Sequence, residues 1–138
     1  MMETEILKPM ALLALYTAAI IIVVAVRRGM AMMAGTITLD DFAHGETPKV
    51  PASASLANRN YMNLLEMPVL YYAVCITIFA LQRSDGLFVG LAWAYFGLRV
   101  AHSLIHLTYN KVLHRSLVFA LSNFVLAIMW VRVLLIIW

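Results

Sequence analysis

The chain has 138 residues, of which 64% are hydrophobic and only 12% charged, with a net charge of +3. A soluble domain of this length carries far more charge, so the composition reads as a single integral membrane domain over residues 1–138. The few basic residues form no patch suited to nucleic acid, and the lone cysteine, Cys75, permits no intrachain disulfide.

Taken in order, Pro9 to Val26 is 18 residues without a charge, enough to cross a bilayer, and Pro9 is tolerated in a first helical turn. Glu3 and Glu5 precede it and Arg27-Arg28 end it without a small-residue cleavage site. It therefore reads as a retained helix over about 6–27 rather than a cleaved signal. Gly29 to Asn58, with Gly35, Asp40, Asp41, His44, Gly45, Pro48, Lys49 and Pro51, reads as an extramembrane loop of about thirty residues. A second helix is expected over about 55–81, followed by the tight polar turn Gln82 to Gly86. A third helix over about 86–109 and a fourth over about 113–136 are separated by Asn110-Lys111. The expected fold class is all-α, a bundle of four transmembrane helices. Arg27, Arg28, Lys49, Arg59, Lys111 and Arg115 fall on one side, with Lys8, Arg83 and Arg132 at or near the other. The positive-inside rule then predicts periplasmic or lumenal termini and a cytoplasmic long loop.

The second helix carries an unexpected stripe. Arg59, Asn63 and Glu66 are spaced four and three apart, so they share one helical face. Charged groups at membrane depth cost a few kcal/mol or more and usually face a partner or a water-filled cavity. Folding at residues 82–86 sets Glu66 level with Arg99, Asn63 with His102 and Arg59 with His106, with the Glu66–Arg99 pair roughly 25 Å from the turn. Arg99, His102 and His106 form a face of their own. Folding at Asn110-Lys111 brings Arg115 and Ser116 to the same level, where Arg27 and Arg28 also end the first helix.

Plainer readings exist for each residue alone. Glu66 and Arg99 form a pair that either fixes helix register or serves function. Arg59, Lys111 and Arg115 have stems long enough to snorkel to lipid headgroups. Two histidines and one glutamate among three arginines make a poor divalent-metal site, so no metal is expected. Several arginines at one depth with few acids favour an anionic ligand.

These residues resemble a known family. The spacing Arg59, Asn63, Glu66 and Pro68, the run Arg99-Val100-Ala101-His102-Ser103, and Arg115-Ser116 nine residues after His106 are similar to motifs of the MAPEG family, membrane-associated proteins in eicosanoid and glutathione metabolism. The resemblance covers about residues 55–135 well and the first helix with its Arg27-Arg28 end more loosely. It implies a homotrimer of four-helix protomers, set in membrane lipid, that binds glutathione between subunits near the cytoplasmic face. Glutathione would be the co-substrate of a transferase or peroxidase acting on a hydrophobic small molecule, an electrophile or a lipid hydroperoxide. By that resemblance Arg59, Asn63, Glu66, Arg99, His102, His106, Tyr109 and Arg27 bind glutathione, and Arg115, with Ser116 beside it, stabilises the thiolate. The chain departs from the family pattern in three places. His106 stands where family enzymes place a tyrosine, with Tyr109 one turn later; Phe119, four after Arg115, lacks a hydroxyl; and Pro68 comes only two after Glu66. The family also contains a non-catalytic member that binds lipid-like ligands, so the alternative is a lipid-binding scaffold of the same fold. The expected location is a bacterial inner membrane, spanned several times.

Overall fold

The computed structural model describes residues 3–43 and 45–138; His44, one of the loop markers, lies outside the described residues, as do Met1 and Met2. After a 3₁₀ turn at Glu3–Ile6, the first helix, α1, runs Leu7–Met33. It continues through Arg27-Arg28 because Met30 to Met33 is a run of good helix formers. It stops where Gly35 takes φ +70, a left-handed conformation natural to glycine. There the Gly35 N–H donates to the Met32 carbonyl at 2.9 Å and the Thr36 N–H to the Ala31 carbonyl at 3.1 Å. This paired closure satisfies carbonyls that a helix end otherwise leaves bare.

The connection to the second helix is therefore shorter than the loop expected over 29–58, and it is ordered by its own contacts. Thr38 donates its N–H and hydroxyl to one oxygen of Asp41, at 2.9 and 3.2 Å, and Thr47 donates to the other at 3.0 Å. These donors, the Thr38 backbone N–H foremost, hold the Asp41 carboxyl below its usual range. Arg28 pairs with Glu46 at 2.8 Å and lies over the Phe42 ring. Beneath them Ala31, Ile37, Val50 and Ala54 form a small apolar core.

The expected second helix is two. α2 runs Ala52–Glu66 and α3 Pro68–Ala80, meeting at Met67. Pro68 has no N–H for the ladder and its ring crowds the preceding turn, so the chain breaks step there while keeping one general direction. α4 runs Gly86–Leu107 and α5 Val112–Ile137. Four stretches, Glu3–Met33, Ala52–Ala80, Gly86–Leu107 and Val112–Ile137, are long and apolar enough to cross a membrane. The fold is an all-helical, four-span membrane bundle.

The core between the spans is built from Leu13, Ile20, Leu64, Val74, Phe88 and Met129, with Tyr71 stacked on Tyr95 at 4.3 Å between ring centres. At the end that carries the chain termini, Asp85 caps α4 by accepting the Phe88 N–H at 2.9 Å and takes a two-pronged ion pair from Arg132 of α5, at 3.0 and 2.7 Å. Burying large side chains on one face and leaving leucine, isoleucine and valine on the other is what a bundle in lipid requires.

Candidate functional site

The inner face of α2 is set by Ala54, Ala57, Asn60 and Leu64, all buried. That phase turns the polar stripe outward: Arg59 and Glu66 are exposed and Asn63 is half-buried at the edge. The hydrogen bonds between spans displace the expected register by two residues. Asn60 bonds to Ser103 at 2.6 Å, and Tyr71 bonds to the Ala92 carbonyl at 3.1 Å.

The expected Glu66–Arg99 pair is therefore not formed. Among the described residues Arg99 has no ion-pair partner; one guanidinium nitrogen, Nη2, instead donates to the Asn63 carbonyl. Arg99 is fully buried, with Nε and Nη1 lacking partners and the Phe119 ring 5.4 Å away. A buried guanidinium without a hydrogen-bonded carboxylate is a costly arrangement, and charged groups at membrane depth concentrate at functional sites.

Next to Arg99, a cavity of about 200 Å³ is lined by Asn63, His102, Arg115, Ser116 and Phe119. His102 lies beside the Phe119 ring at 5.6 Å between centres, and its Nδ1 is buried without a partner. Arg115 reaches in from the first turn of α5 and is held by His106 Nε2 at 3.2 Å and by the Asn110 side-chain oxygen at 2.9 Å. Asn110 can serve there because it takes φ +46 in the α4–α5 turn, a conformation asparagine tolerates well. The small cavity thus gathers the polar groups of Asn63, His102, Arg115 and Ser116 and the Phe119 ring around a space whose lining holds no acid, an environment suited to an anionic atom.

The structure brings together Asn63, Arg99, His102, His106, Arg115 and Ser116 of the residues singled out from sequence. It places four elsewhere. Arg59 lines a separate, open cavity of about 670 Å³ with Ser55 and Asn110. Arg27 lines another of about 640 Å³ with Leu56 and Leu107, its Nη1 donating to the Ser53 carbonyl at 2.9 Å. Glu66 points out of the protomer, and Tyr109 is exposed with its hydroxyl 3.2 Å from His114 Nδ1. All of them except Glu66 remain at the same end of the bundle, where α1 leaves its span and α4 turns into α5.

One polar cluster was not anticipated. Tyr16 of α1 and Asn60 of α2 both donate to the Ser103 hydroxyl oxygen of α4, at 2.8 and 2.6 Å, and Asn60 and Ser103 are completely buried. It ties three helices together one residue from His102 and three from Asn63. The available signal was the position of Asn60 in step with Ala57 and Leu64, an amide on an otherwise apolar face.

The fold and this site define an integral membrane helical bundle with a cationic, ligand-sized pocket at one end. The chain belongs to the MAPEG family, whose model matches residues 6–135. No curated protein and no solved structure matches it.

Proposed function

We propose that this protein is a membrane-embedded, glutathione-dependent transferase or peroxidase acting on hydrophobic electrophiles or lipid hydroperoxides. The observation that carries the reading is the cavity where Arg115, Ser116 and His102 converge beside the unpaired, buried Arg99. Membership of a family of glutathione-related and lipid-metabolism proteins supports it.

A thiol with a pKa of about 8.5 becomes a useful nucleophile when an adjacent cation stabilises its thiolate. Arg115 is the cation, with the Ser116 hydroxyl as a second donor. The thiol proton leaves to water and the sulfur lone pair then attacks. Halide departs from an aryl halide, or the π bond of an enal opens and its α carbon takes a proton. With a hydroperoxide the O–O bond breaks to release the alcohol and leave a glutathione sulfenic acid, which a second glutathione converts to the disulfide and water. The bilayer delivers the apolar partner to the pocket. About 200 Å³ accommodates the cysteine end of glutathione and not the whole tripeptide. Its two carboxylates and its ammonium extend along the outward stripe, where Arg59 and Glu66 provide the matching charges. A charged stripe on a membrane span calls for a covering partner, and a second copy of the chain in a closed homotrimer is the one proposed, with Arg27 contributed across the interface. The excess of Lys and Arg at the pocket end supports a cytoplasmic position for it, where a soluble thiol is at hand.

The test is turnover by the purified protein in detergent with glutathione and a panel of aryl halides, enals and lipid hydroperoxides. Saturable, glutathione-dependent turnover of at least one class is expected. Inactivity against all three, with retained binding of a lipid-like ligand, overturns the enzyme reading in favour of the non-enzymatic scaffold.

A further inference from the structure

Arg115 Nη1 lies 3.2 Å from His106 Nε2 and 2.9 Å from the Asn110 side-chain oxygen. A guanidinium has donors only, and Nη1 carries two of them. Each of those contacts must therefore end on a lone pair. The Asn110 oxygen has one in any state, but His106 has one at Nε2 only when its ring is neutral with the proton on Nδ1. An imidazolium, or the other neutral tautomer, would set an N–H against an N–H. His106 Nδ1 is buried with no partner among the described residues, so nothing on that side competes to fix the opposite tautomer. The ring's own surroundings agree: His102 stands 5.9 Å away between ring centres, Arg115 covers Nε2, and Arg59 is the other cation near enough to act on it.

We infer that His106 is a positioning residue whose uncharged ring, together with Asn110, holds Arg115 in place while leaving its charge unspent for a ligand anion. The inference rests on the thiol chemistry proposed above and says how this chain prepares for it. A carboxylate at either position would fix the arginine as firmly but would neutralise it. Two uncharged acceptors orient it without a counter-charge, and no ion pair to Arg115 exists among the described residues. Its Nε and Nη2 make no hydrogen bond among those residues, and Arg115 lines the cavity, so donors remain available to a ligand there. Preorganised donors of this kind need no rearrangement when charge develops on the sulfur.

Two measurements decide it. Nitrogen-15 NMR of histidine-labelled, ligand-free protein in detergent reads the tautomer directly. The expected result at neutral pH is a protonated Nδ1 and a bare Nε2 for His106, with the Nε2 signal moving in Arg115→Ala. The second is the ultraviolet absorbance of the glutathione thiolate and the kcat measured with His106→Leu and His106→Gln. Leucine is expected to lower kcat by about a hundredfold through misplacement of the arginine, with KM for glutathione little changed. Glutamine, which keeps an uncharged acceptor, restores most of the loss. In the Arg115→Ala background, His106→Leu should add nothing further, because the two act as one unit. A histidine that merely packs would lower thermal stability in both backgrounds and leave kcat additive. An Nε2–H tautomer or an imidazolium at neutral pH overturns the inference, as do additive losses. Wild-type protein that forms no thiolate at all overturns the proposed function instead, and the tautomer then decides the inference by itself.

Discussion

At the residue scale, the chemistry turns on which arginine is neutralised and which is not. Arg28 and Arg132 have carboxylate partners, whereas Arg99 and Arg115 are held by uncharged acceptors. In the function proposed here Arg115 meets the reacting sulfur and Arg99 the charge of the bound ligand. Arg115→Ala should then lower kcat by about a hundredfold to a thousandfold while glutathione affinity stays within a few fold, since the lost interaction strengthens only as the thiolate reacts. Lysine at 115 should recover part, keeping the charge without the planar fork. Steady-state kinetics across glutathione concentrations separates these effects. An equal loss of affinity and kcat would place Arg115 in binding and not in chemistry. The sequence made Arg115 and His102 legible because charged and ring side chains at helical spacing stand out in an apolar chain. It did not reveal that Arg99 reaches a backbone carbonyl in place of Glu66. Matched depth says nothing about the rotational phase of a helix, and the phase that buries Ala54, Ala57, Asn60 and Leu64 is what turns Glu66 outward.

At the element scale, short polar devices fix how the spans meet. The four spans were readable from the length and apolarity of their runs. Their ends were less so: α1 runs on past Arg27-Arg28 because propensity outweighs charge there, and the α2–α3 break follows from Pro68 in a helix otherwise uninterrupted in pattern. The Asp85–Arg132 pair offers a separate test of the helix packing. Arg132 hydrogen bonding holds the Asp85 carboxyl down to about 2, below its ordinary 3.8. A carboxyl depressed in the folded state stabilises fully above its unfolded value, and that contribution is lost as pH falls from about 4 towards 2. With the Asp85 side chain 45% exposed, the ion pair contributes about 1 kcal/mol or less, and the cap on α4 adds about as much again. Asp85→Asn should therefore lower the melting temperature at pH 7, with the part due to the ion pair vanishing near pH 2. A destabilisation of the same size at both pH values would show that the charge of Asp85 plays no part.

At the scale of the whole molecule, the bundle leaves a charged stripe on its outer surface. It presents Arg59 and Glu66 outward from a mostly apolar span, and Asn63, which lies between them in the stripe, lines the small cavity. The proposed homotrimer covers the stripe and completes the cleft. Detergent-corrected mass measurement should give three chains per particle, and Glu66→Leu together with Arg59→Leu should weaken glutathione binding more than it weakens the assembly. A stable monomer that still binds glutathione tightly would remove the need for a shared site. The class of the molecule was legible from composition alone; the grouping of three arginines at one depth held only in part, since Arg115 lines the small cavity while Arg59 lines a separate one. The Tyr16–Ser103–Asn60 junction that brings α1, α2 and α4 together was not legible, since ordinary hydroxyl and amide side chains carry no signal until the helices are packed.

The central claim, that Arg115 and its neighbours form a site for a thiolate, is tested most directly by difference absorbance of purified protein titrated with glutathione. A saturable thiolate band is expected at neutral pH, reaching about one site per chain, and it should disappear in Arg115→Ala while calorimetry still detects binding. Glutathione that binds only as the thiol, or a band of full height in Arg115→Ala, would contradict it.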